Sequence, residues 1–174
     1  IQGGLKVKLT DAFFADSKSI NCTYVIPVKL NSVQGADSIL ADKKFILYAV
    51  KYVNPWHGIY LRRGVDNITT ASGVTTKVRH ATYVENDALQ TVTTCALNKA
   101  QMIIAVKDAS GKDHNCTLTL TFDDNGQCKV STDTEGFEAS GSGSFVIKGE
   151  KESMGGIDRN ALYLNYTVKS QTLV

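Results

Sequence analysis

Large aromatic and charged side chains cluster within a short stretch of the chain, at Trp56, Tyr60, Arg62, Arg63 and Asp66. On a β-strand, Trp56, Tyr60 and Arg62 would share one side, while Ile59 and Leu61 would point to the other. Because Ile59 and Leu61 supply a core face, we expect the aromatic and basic row to be free for another surface. Aromatic rings suit the apolar face of a sugar, and charged groups hydrogen-bond its hydroxyls. The pattern predicts a ligand-binding row, although the same row could instead pack two modules together.

The sequence contains no catalytic or metal-binding pattern. Its histidines lie on separate segments without metal-type spacing, at His57, His80 and His114. Carboxylates are frequent in turns, but none sits in an apolar run, where burial would raise its pKa for general-acid catalysis. We therefore predict a protein that is not an enzyme and that has no metal site and no cofactor.

The composition argues against two classes of binding protein. The 174-residue chain has 19 basic and 17 acidic residues, scattered along its length, so the net charge is only +2. Binding a phosphate backbone needs a concentrated positive face, and we expect no nucleic-acid partner. No apolar run approaches the ~20 residues that span a bilayer. The chain begins with neither a methionine nor a signal peptide, so we expect a mature form or a fragment.

The cysteines form no C-x-x-C pair, which argues against a zinc site; they are Cys22, Cys95, Cys116 and Cys128. If Asn125-Gly126 is the turn of a two-residue hairpin, Cys128 faces Asp123 rather than Cys116. We therefore expect four free thiols, mostly buried.

Period-two alternation of apolar residues predicts an all-β chain. In residues 1–53 we expect strands at 5–10, 24–30 and 45–53, the last of them covered on both faces. Three or four strands are about half of the ~7 that an immunoglobulin-like sandwich needs. We interpret 1–53 as the C-terminal part of such a sandwich, with a boundary at Asn54-Pro55.

Residues 54–174 are predicted to form an eight-stranded antiparallel meander, because strand-like runs follow one another through short turns. Such a meander curls into a barrel or a flattened sandwich, since closure removes exposed edges. Leu118, Leu120 and Phe122 are expected to point inward, and Gly141 and Gly143 fit a sharp bend where strands crowd. The predicted strands are 58–63, 75–84, 89–96, 101–107, 117–122, 127–132, 138–149 and 161–169.

Several runs resemble a family of surface or secreted lipoproteins of Bacteroidetes: LKVKLTDAFFAD (5–16), YVIPVKLNSVQGADSIL (24–40), YAVKYVNPWHGIYLRRGVD (48–66), GSGSFVIKGE (141–150) and ALYLNYTV (161–168). Members of that family join an immunoglobulin-like N-terminal domain to a C-terminal β-domain of unknown function, which is often lipocalin-like or sandwich-like. Related N-terminal modules precede the catalytic domain in some family 18 endo-β-N-acetylglucosaminidases. The catalytic signature of those enzymes is missing here, so the resemblance implies no enzymatic activity.

The resemblance implies a lipid-anchored protein of a polysaccharide-utilisation system, with the lipobox cysteine and the first half of the N-terminal module upstream of Ile1. We expect a non-catalytic glycan-binding or adhesin-like accessory protein at the cell surface or outer membrane, or in the periplasm. Its expected partners are a glycan and proteins of the cell surface, and it would meet the membrane only through the lipid anchor. The alternative is a structural spacer or protein-interaction module without glycan affinity.

Overall fold

Antiparallel strands joined by short turns make up most of the chain. The computed structural model describes residue 4, residues 6–108 and residues 110–170. The chain divides into two compact units, Ile1–Val53 and Asn54–Val174. The described residues contain eleven β-strands and one α-helix of five residues. The all-β prediction is therefore confirmed.

The first unit contains one two-stranded antiparallel sheet, in which β1 (Tyr24–Lys29) pairs with β2 (Phe45–Val50) along its whole length. Pro27 lies within β1, which has only β2 beside it among the described residues. An edge strand tolerates proline because one of its sides makes no ladder hydrogen bonds. The helical segments of this unit are short, namely α1 (Asp11–Ala15) and the 3₁₀ turns Ser17–Asn21 and Ala41–Lys43.

Two strand predictions for this unit are wrong. Residues 6–10 form no strand, and Val7 and Leu9 instead line an apolar groove beside β1 and β2; Leu5 lies outside the described residues. The strand at 45–53 ends at Val50, and it is not covered, since Phe45 and Leu47 are 60% and 59% exposed. The reason is that β2 has only β1 beside it in the described part of the unit.

The described residues of the second unit form nine strands: β3 (Gly58–Arg62), β4 (Gly64–Thr70), β5 (Gly73–Arg79), β6 (Ala88–Ala96), β7 (Lys99–Lys107), β8 (Asp113–Phe122), β9 (Gln127–Thr132), β10 (Phe137–Ser153) and β11 (Ile157–Ser170). Seven of them form one antiparallel sheet with the order β11-β10-β9-β8-β7-β6-β3. The other two form a separate hairpin, β4–β5, which a 3₁₀ turn at Val84–Asn86 connects to β6.

The predicted eight-stranded meander is wrong at its beginning. The hairpin β4–β5 stands outside the main sheet, so β3 pairs directly with β6. Gly64 and Gly73 have backbone φ values of 147° and 127°, which residues other than glycine rarely adopt. Gly64 turns the chain out of the sheet directly after Arg63, and Gly73 begins the returning strand. The main sheet therefore has seven strands and is curled into a half-barrel.

The inner face of the curled sheet forms the core. Leu118, Leu120 and Phe122 are buried on β8, as the alternation predicted. The neighbouring strands add every second residue to the same face, which explains the alternating burial along β7, β8 and β9. The buried apolar residues of this core are Val92, Ala100, Met102, Ile104, Cys116, Leu118, Leu120, Phe122, Cys128 and Val130.

The sheet curls so far that its two outermost strands meet through side chains. Arg62 Nη2, on β3, donates a hydrogen bond to the Tyr166 hydroxyl, on β11, at 3.1 Å. These strands lie at opposite ends of the strand order and do not pair with each other. Side chains therefore bridge the gap that a closed barrel would fill with a hydrogen-bonded ladder. We call this gap between β3 and β11 the seam.

The turn between β8 and β9 differs from the predicted one by a single residue of register. Cys128 pairs with Phe122 and not with Asp123. A longer loop replaces the two-residue turn, and it contains Gly126 in a left-handed conformation with φ of 76°. All four cysteines are free thiols, as expected, but only Cys116 and Cys128 are buried; Cys95 is half-buried and Cys22 is exposed, so the expectation that most are buried holds for two of the four.

Two glycines allow β10 and β11 to approach each other closely. A Cβ atom on Gly141 would lie 2.4 Å from the Asn165 carbonyl oxygen and 2.6 Å from Tyr166 Cα. A Cβ atom on Gly143 would lie 2.3 Å from the Tyr163 carbonyl oxygen. These distances agree with the crowded bend that the sequence predicted. Gly141 is also directly opposite Tyr166 in the register, so a side chain at this position would collide with Tyr166 Cα and Cβ.

We predict that Gly141→Ala lowers the free energy of unfolding by about 2 kcal/mol, because the added methyl group forces a tightly packed backbone to move. Urea unfolding followed by circular dichroism measures the change. Ser142→Ala is the matched control, since Ser142 is exposed on the same strand and its substitution should change stability by less than about 0.5 kcal/mol. Equal stability of the two variants would contradict the close approach of β10 and β11.

Candidate functional site

Trp56 belongs to the core of the second unit. It lies in the turn that leads into β3, and its ring stacks on Phe122 with centroids 3.9 Å apart and planes 6° apart. The indole also packs against the buried core cluster. Because Phe122 covers one face of the indole, that face is not available to a sugar ring.

Tyr60 points to the same inner side of the sheet. Its hydroxyl donates a hydrogen bond to the Trp56 carbonyl oxygen at 2.8 Å. Burial raises the pKa of the Tyr60 phenol, which therefore stays neutral near neutral pH. Ile59, the next residue along the chain, is 70% exposed. The prediction that Ile59 faces the core and that Trp56 and Tyr60 stand free is thus wrong.

The physical reason lies in the curvature of the sheet. Gly58 pairs with Val92 of β6, whose side chain is buried, so the side of β3 that carries Gly58 and Tyr60 continues the concave core. Large rings bury more apolar area than Ile or Leu, and a curled sheet has room for them inside. The partners found for Trp56 and Tyr60 lie within the second unit itself.

Arg62 and Asp66 meet two further residues at the seam, and we call this group the seam cluster: Arg62, Asp66, Arg79 and Tyr166. Arg79 Nε and Nη2 both lie 2.5 Å from Asp66 Oδ2. Arg62 Nη2 lies 3.7 Å from Asp66 Oδ1 and donates to the Tyr166 hydroxyl at 3.1 Å. Two guanidinium groups therefore share one carboxylate next to a phenol.

The sequence alone did not identify Arg79 or Tyr166 as members of this cluster. Arg79 comes to Asp66 through the β4–β5 hairpin, in which Arg79 pairs with Gly64 and so lies on the same face as Asp66. Tyr166 comes to Arg62 through the curl of the main sheet. A hairpin turn signal at Ser72-Gly73 was available in the sequence and could have located Arg79, but no local signal connects Arg62 to Tyr166.

The seam cluster is partly exposed and carries a net positive charge. The exposed fractions of the side chains are 23% for Arg62, 28% for Asp66 and 24% for Arg79. Burial raises the pKa of the Tyr166 phenol, although the Arg62 guanidinium acts in the opposite direction. The neutral phenol can therefore accept from Arg62 and still donate its own hydrogen.

Arg63 points away from the seam and anchors a buried carboxylate. Its Nε donates to Asp87 Oδ2 at 2.5 Å, and the Ala81 backbone N–H donates to Asp87 Oδ1 at 2.8 Å. The Asp87 side chain is only 1% exposed, and His80 Nδ1 lies 3.9 Å from its Oδ1. The Ala81 N–H and the Arg63 guanidinium lower the pKa of Asp87. This contact fixes the connection between β5 and β6, so Arg63 has a structural partner here.

The histidines take part in separate local contacts. His57 Nδ1 accepts a hydrogen bond from the Thr94 backbone N–H at 3.1 Å, and His114 Nε2 lies 2.9 Å from Asp108 Oδ2. Within the described ranges, no group of three or more histidine, cysteine, aspartate or glutamate side chains could hold a metal ion. Nor does the described part of the chain contain a helix long and apolar enough to cross a membrane.

We predict that Trp56→Ala lowers the free energy of unfolding by about 3–5 kcal/mol, because it removes a stacked ring from the core. Ile59→Ala, three residues away on the outer face, should cost less than about 0.5 kcal/mol. Urea unfolding of both variants measures the difference. A larger loss of stability for Ile59→Ala than for Trp56→Ala would contradict the inward position of Trp56 and favour the outward-facing row predicted from the sequence.

We predict that Asp87→Asn destabilises the protein at neutral pH and that the difference from the unmutated protein shrinks as the pH falls. The pKa of Asp87 is lowered on folding, so its contribution is present above the unfolded-state value of ~3.9 and is lost as the pH drops through the folded value. Unfolding curves at several pH values measure this effect. Asp113→Asn removes an exposed carboxylate that pairs with Lys107, and it should have little effect at any pH. A difference for Asp87→Asn that does not change with pH would contradict the assignment.

Comparison with known proteins places the chain in a family without an assigned activity. A structural-genomics protein of unknown function from Bacteroides ovatus, known from a crystal structure, is 44% identical to this chain in sequence. The two structures match with a TM-score of 0.83 over 95% of this chain. This chain covers 59% of that protein's length. No curated protein matches the sequence. Residues 55–173 match the model of a domain of unknown function, DUF5627, which accounts for most of the chain. The chain therefore belongs to the DUF5627 family.

Proposed function

We propose that this chain is a non-catalytic, cell-surface glycan-binding or adhesin-like accessory protein of a polysaccharide-utilisation system, and that the seam cluster is its contact site. The observation that carries the proposal is the grouping of Arg62, Asp66, Arg79 and Tyr166 at a seam that no backbone ladder closes. The proposed site keeps Arg62 and Asp66 from the row predicted from sequence. It leaves Trp56 and Tyr60 as supports of the core and Arg63 as the partner of Asp87.

The chemistry of the seam cluster suits a sugar. Sugar hydroxyls both donate and accept hydrogen bonds, and the cluster offers guanidinium donors, a carboxylate acceptor and a phenol that does both. The ring of Tyr166 packs against the core, so it is the hydroxyl of this residue that is offered to a ligand. Between a fifth and a third of the area of each charged side chain is exposed, so a ligand can reach the cluster without unfolding the sheet.

The non-catalytic part of the proposal rests on the carboxylates. Glycoside hydrolysis normally uses two carboxyl groups on either side of the scissile bond. Asp66 is the one carboxylate of the seam cluster, and it lies between two guanidinium groups that hold it in place. This arrangement favours binding over bond cleavage.

We also propose that residues 1–53 are the C-terminal part of an immunoglobulin-like module, that 54–174 form a lipocalin-like domain, and that the protein is lipid-anchored at the outer membrane. The apolar side chains on both faces of β2 support the first point, because a sandwich strand packs against a second sheet. The curled antiparallel sheet supports the second. Two similarities support the lipid anchor. The chain is similar to a Bacteroides protein, and it resembles surface lipoproteins whose modules are related to those of family 18 enzymes.

A second candidate function is a structural spacer or protein-interaction module. The observation in its favour is a row of apolar side chains on the outer face of three adjacent strands. Ile59 on β3, Leu89 on β6 and Ile103 on β7 are 70%, 69% and 57% exposed. In the register Ile59 faces Thr91 and Leu89 faces Leu61, so the three residues share one face without being direct neighbours. Exposed apolar residues grouped on one face are typical of surfaces that meet another protein.

A glycan array tests the proposed function. We expect the unmutated chain to bind at least one glycan and Arg79→Ala to weaken that binding by about tenfold or more, because charge-assisted hydrogen bonds are lost. Lys129→Ala is the matched control, since it removes one positive charge from an exposed position on β9 and should leave binding unchanged. Failure to bind any glycan would contradict the proposal and favour the second candidate. In that case Ile59→Glu should weaken the purified complex between this chain and its protein partner.

A further inference from the structure

We propose that the seam cluster is an anion subsite that takes the carboxylate of an acidic sugar. This inference rests on the proposed glycan-binding function and names the class of ligand. The two guanidinium groups of Arg62 and Arg79 face the single carboxylate of Asp66, so the cluster holds one positive charge that no described neighbour offsets.

The charge arithmetic favours an anionic ligand over a neutral one. Each guanidinium stays charged at any physiological pH, whereas Asp66 supplies one negative charge for both. Arg62 and Arg79 are about three-quarters buried, where a charge interacts more strongly than in bulk water. An added carboxylate would bring the cluster to neutrality.

The hydrogen-bond inventory leaves donors for such a ligand. A guanidinium carries five N–H groups, and a carboxylate can accept two of them in parallel. Arg62 uses Nη2 for Tyr166 and Asp66, and Arg79 uses Nε and Nη2 for Asp66. The contacts found among the described residues therefore leave the N–H groups of Arg62 Nε and Nη1 and of Arg79 Nη1 for a ligand. The hydrogen of the Tyr166 hydroxyl is likewise available to a ligand.

The position of the cluster provides access. β3 has only β6 beside it and β11 has only β10, so no ladder in the described residues covers the seam. The fork of Arg62 approaches from one side of the seam and the Tyr166 phenol from the other. Because these two groups already touch, a planar carboxylate would bind beside their contact, where its two oxygens can accept from different donors.

Asp66 gives the subsite its selectivity. It already occupies part of both guanidinium forks, so a free anion must compete with it. A carboxylate attached to a sugar ring adds contacts with ring hydroxyls, which a simple inorganic anion lacks. We therefore expect weak binding of chloride or phosphate and stronger binding of a uronic acid residue within an oligosaccharide.

The test uses the full chain and two ligands, a tetramer of galacturonic acid and its methyl ester, in which a methyl group replaces the negative charge of each carboxylate. Isothermal titration calorimetry should show at least about tenfold tighter binding of the acid than of the ester, as expected for charge-assisted contacts. Raising the salt concentration should weaken binding of the acid and leave binding of the ester nearly unchanged, since salt screens partly exposed charges. Equal affinity for the two tetramers would overturn the inference.

Variants test the role of each charge. Arg79→Ala should weaken binding of the acid by about tenfold and remove the preference over the ester. Asp66→Asn should have the opposite effect, because it removes the competing carboxylate and raises the cluster charge to about +2. Lys129→Ala, on the outer face, should behave like the unmutated chain. A folded Asp66→Asn variant that binds the acid less tightly would overturn the inference.

The outcomes separate this inference from the proposed function. Binding of neutral glycans with no preference for acids leaves the proposed function standing and overturns the anion subsite. A preference for sulfated sugars over uronic acids also overturns the carboxylate assignment. Failure to bind either tetramer or any glycan on the array contradicts both. Where a variant does not fold, the comparison of acid and ester with the unmutated chain decides.

Discussion

The curl of one seven-stranded sheet is the constraint on which the second unit depends. A sheet with one apolar face must bury that face against another layer, and here the sheet bends over and covers itself. Trp56 reaches Phe122 across the interior because of this curl. Gly141 and Gly143 make the bend possible, since a side chain at either position would collide with β11. The core, the seam and the position of every candidate ligand contact follow from this single bend.

The seam cluster is a consequence of incomplete closure. The hairpin β4–β5 leaves the sheet after β3, so the sheet lacks an eighth strand and its two edges meet through side chains. The same hairpin supplies Asp66 and Arg79 to the edge that Arg62 occupies. The cluster joins the two edges through side-chain contacts, and it also places charges where a ligand can reach them. The structural and proposed binding roles of these residues thus have one origin.

Local sequence patterns predicted the regular part of the fold well. The alternation of Leu118, Leu120 and Phe122 located the inner face of β8, because a strand's side chains alternate with a period of two whatever the tertiary context. The same reasoning failed for β3, since Ile59 and Tyr60 are both apolar enough for either face and only the curvature decides between them. It also failed for β2, whose apolar composition predicts cover that the described part of the first unit does not supply. In the predicted binding row, the residue types indicated a group of contact-forming side chains, but the sequence did not determine which face of the sheet each side chain occupies.

From the residues alone, the all-β class and the inward face of β8 could be derived, because each depends on contacts between near neighbours in the chain. The strand order at β3, the departure of the β4–β5 hairpin and the inward position of Trp56 were decided by tertiary structure. The contact between Arg62 and Tyr166 joins residues 104 positions apart, and no local periodicity carries information over that distance. The seam cluster exists because the sheet bends enough to bring its first and last strands together, which is a property of the whole sheet and not of any one strand.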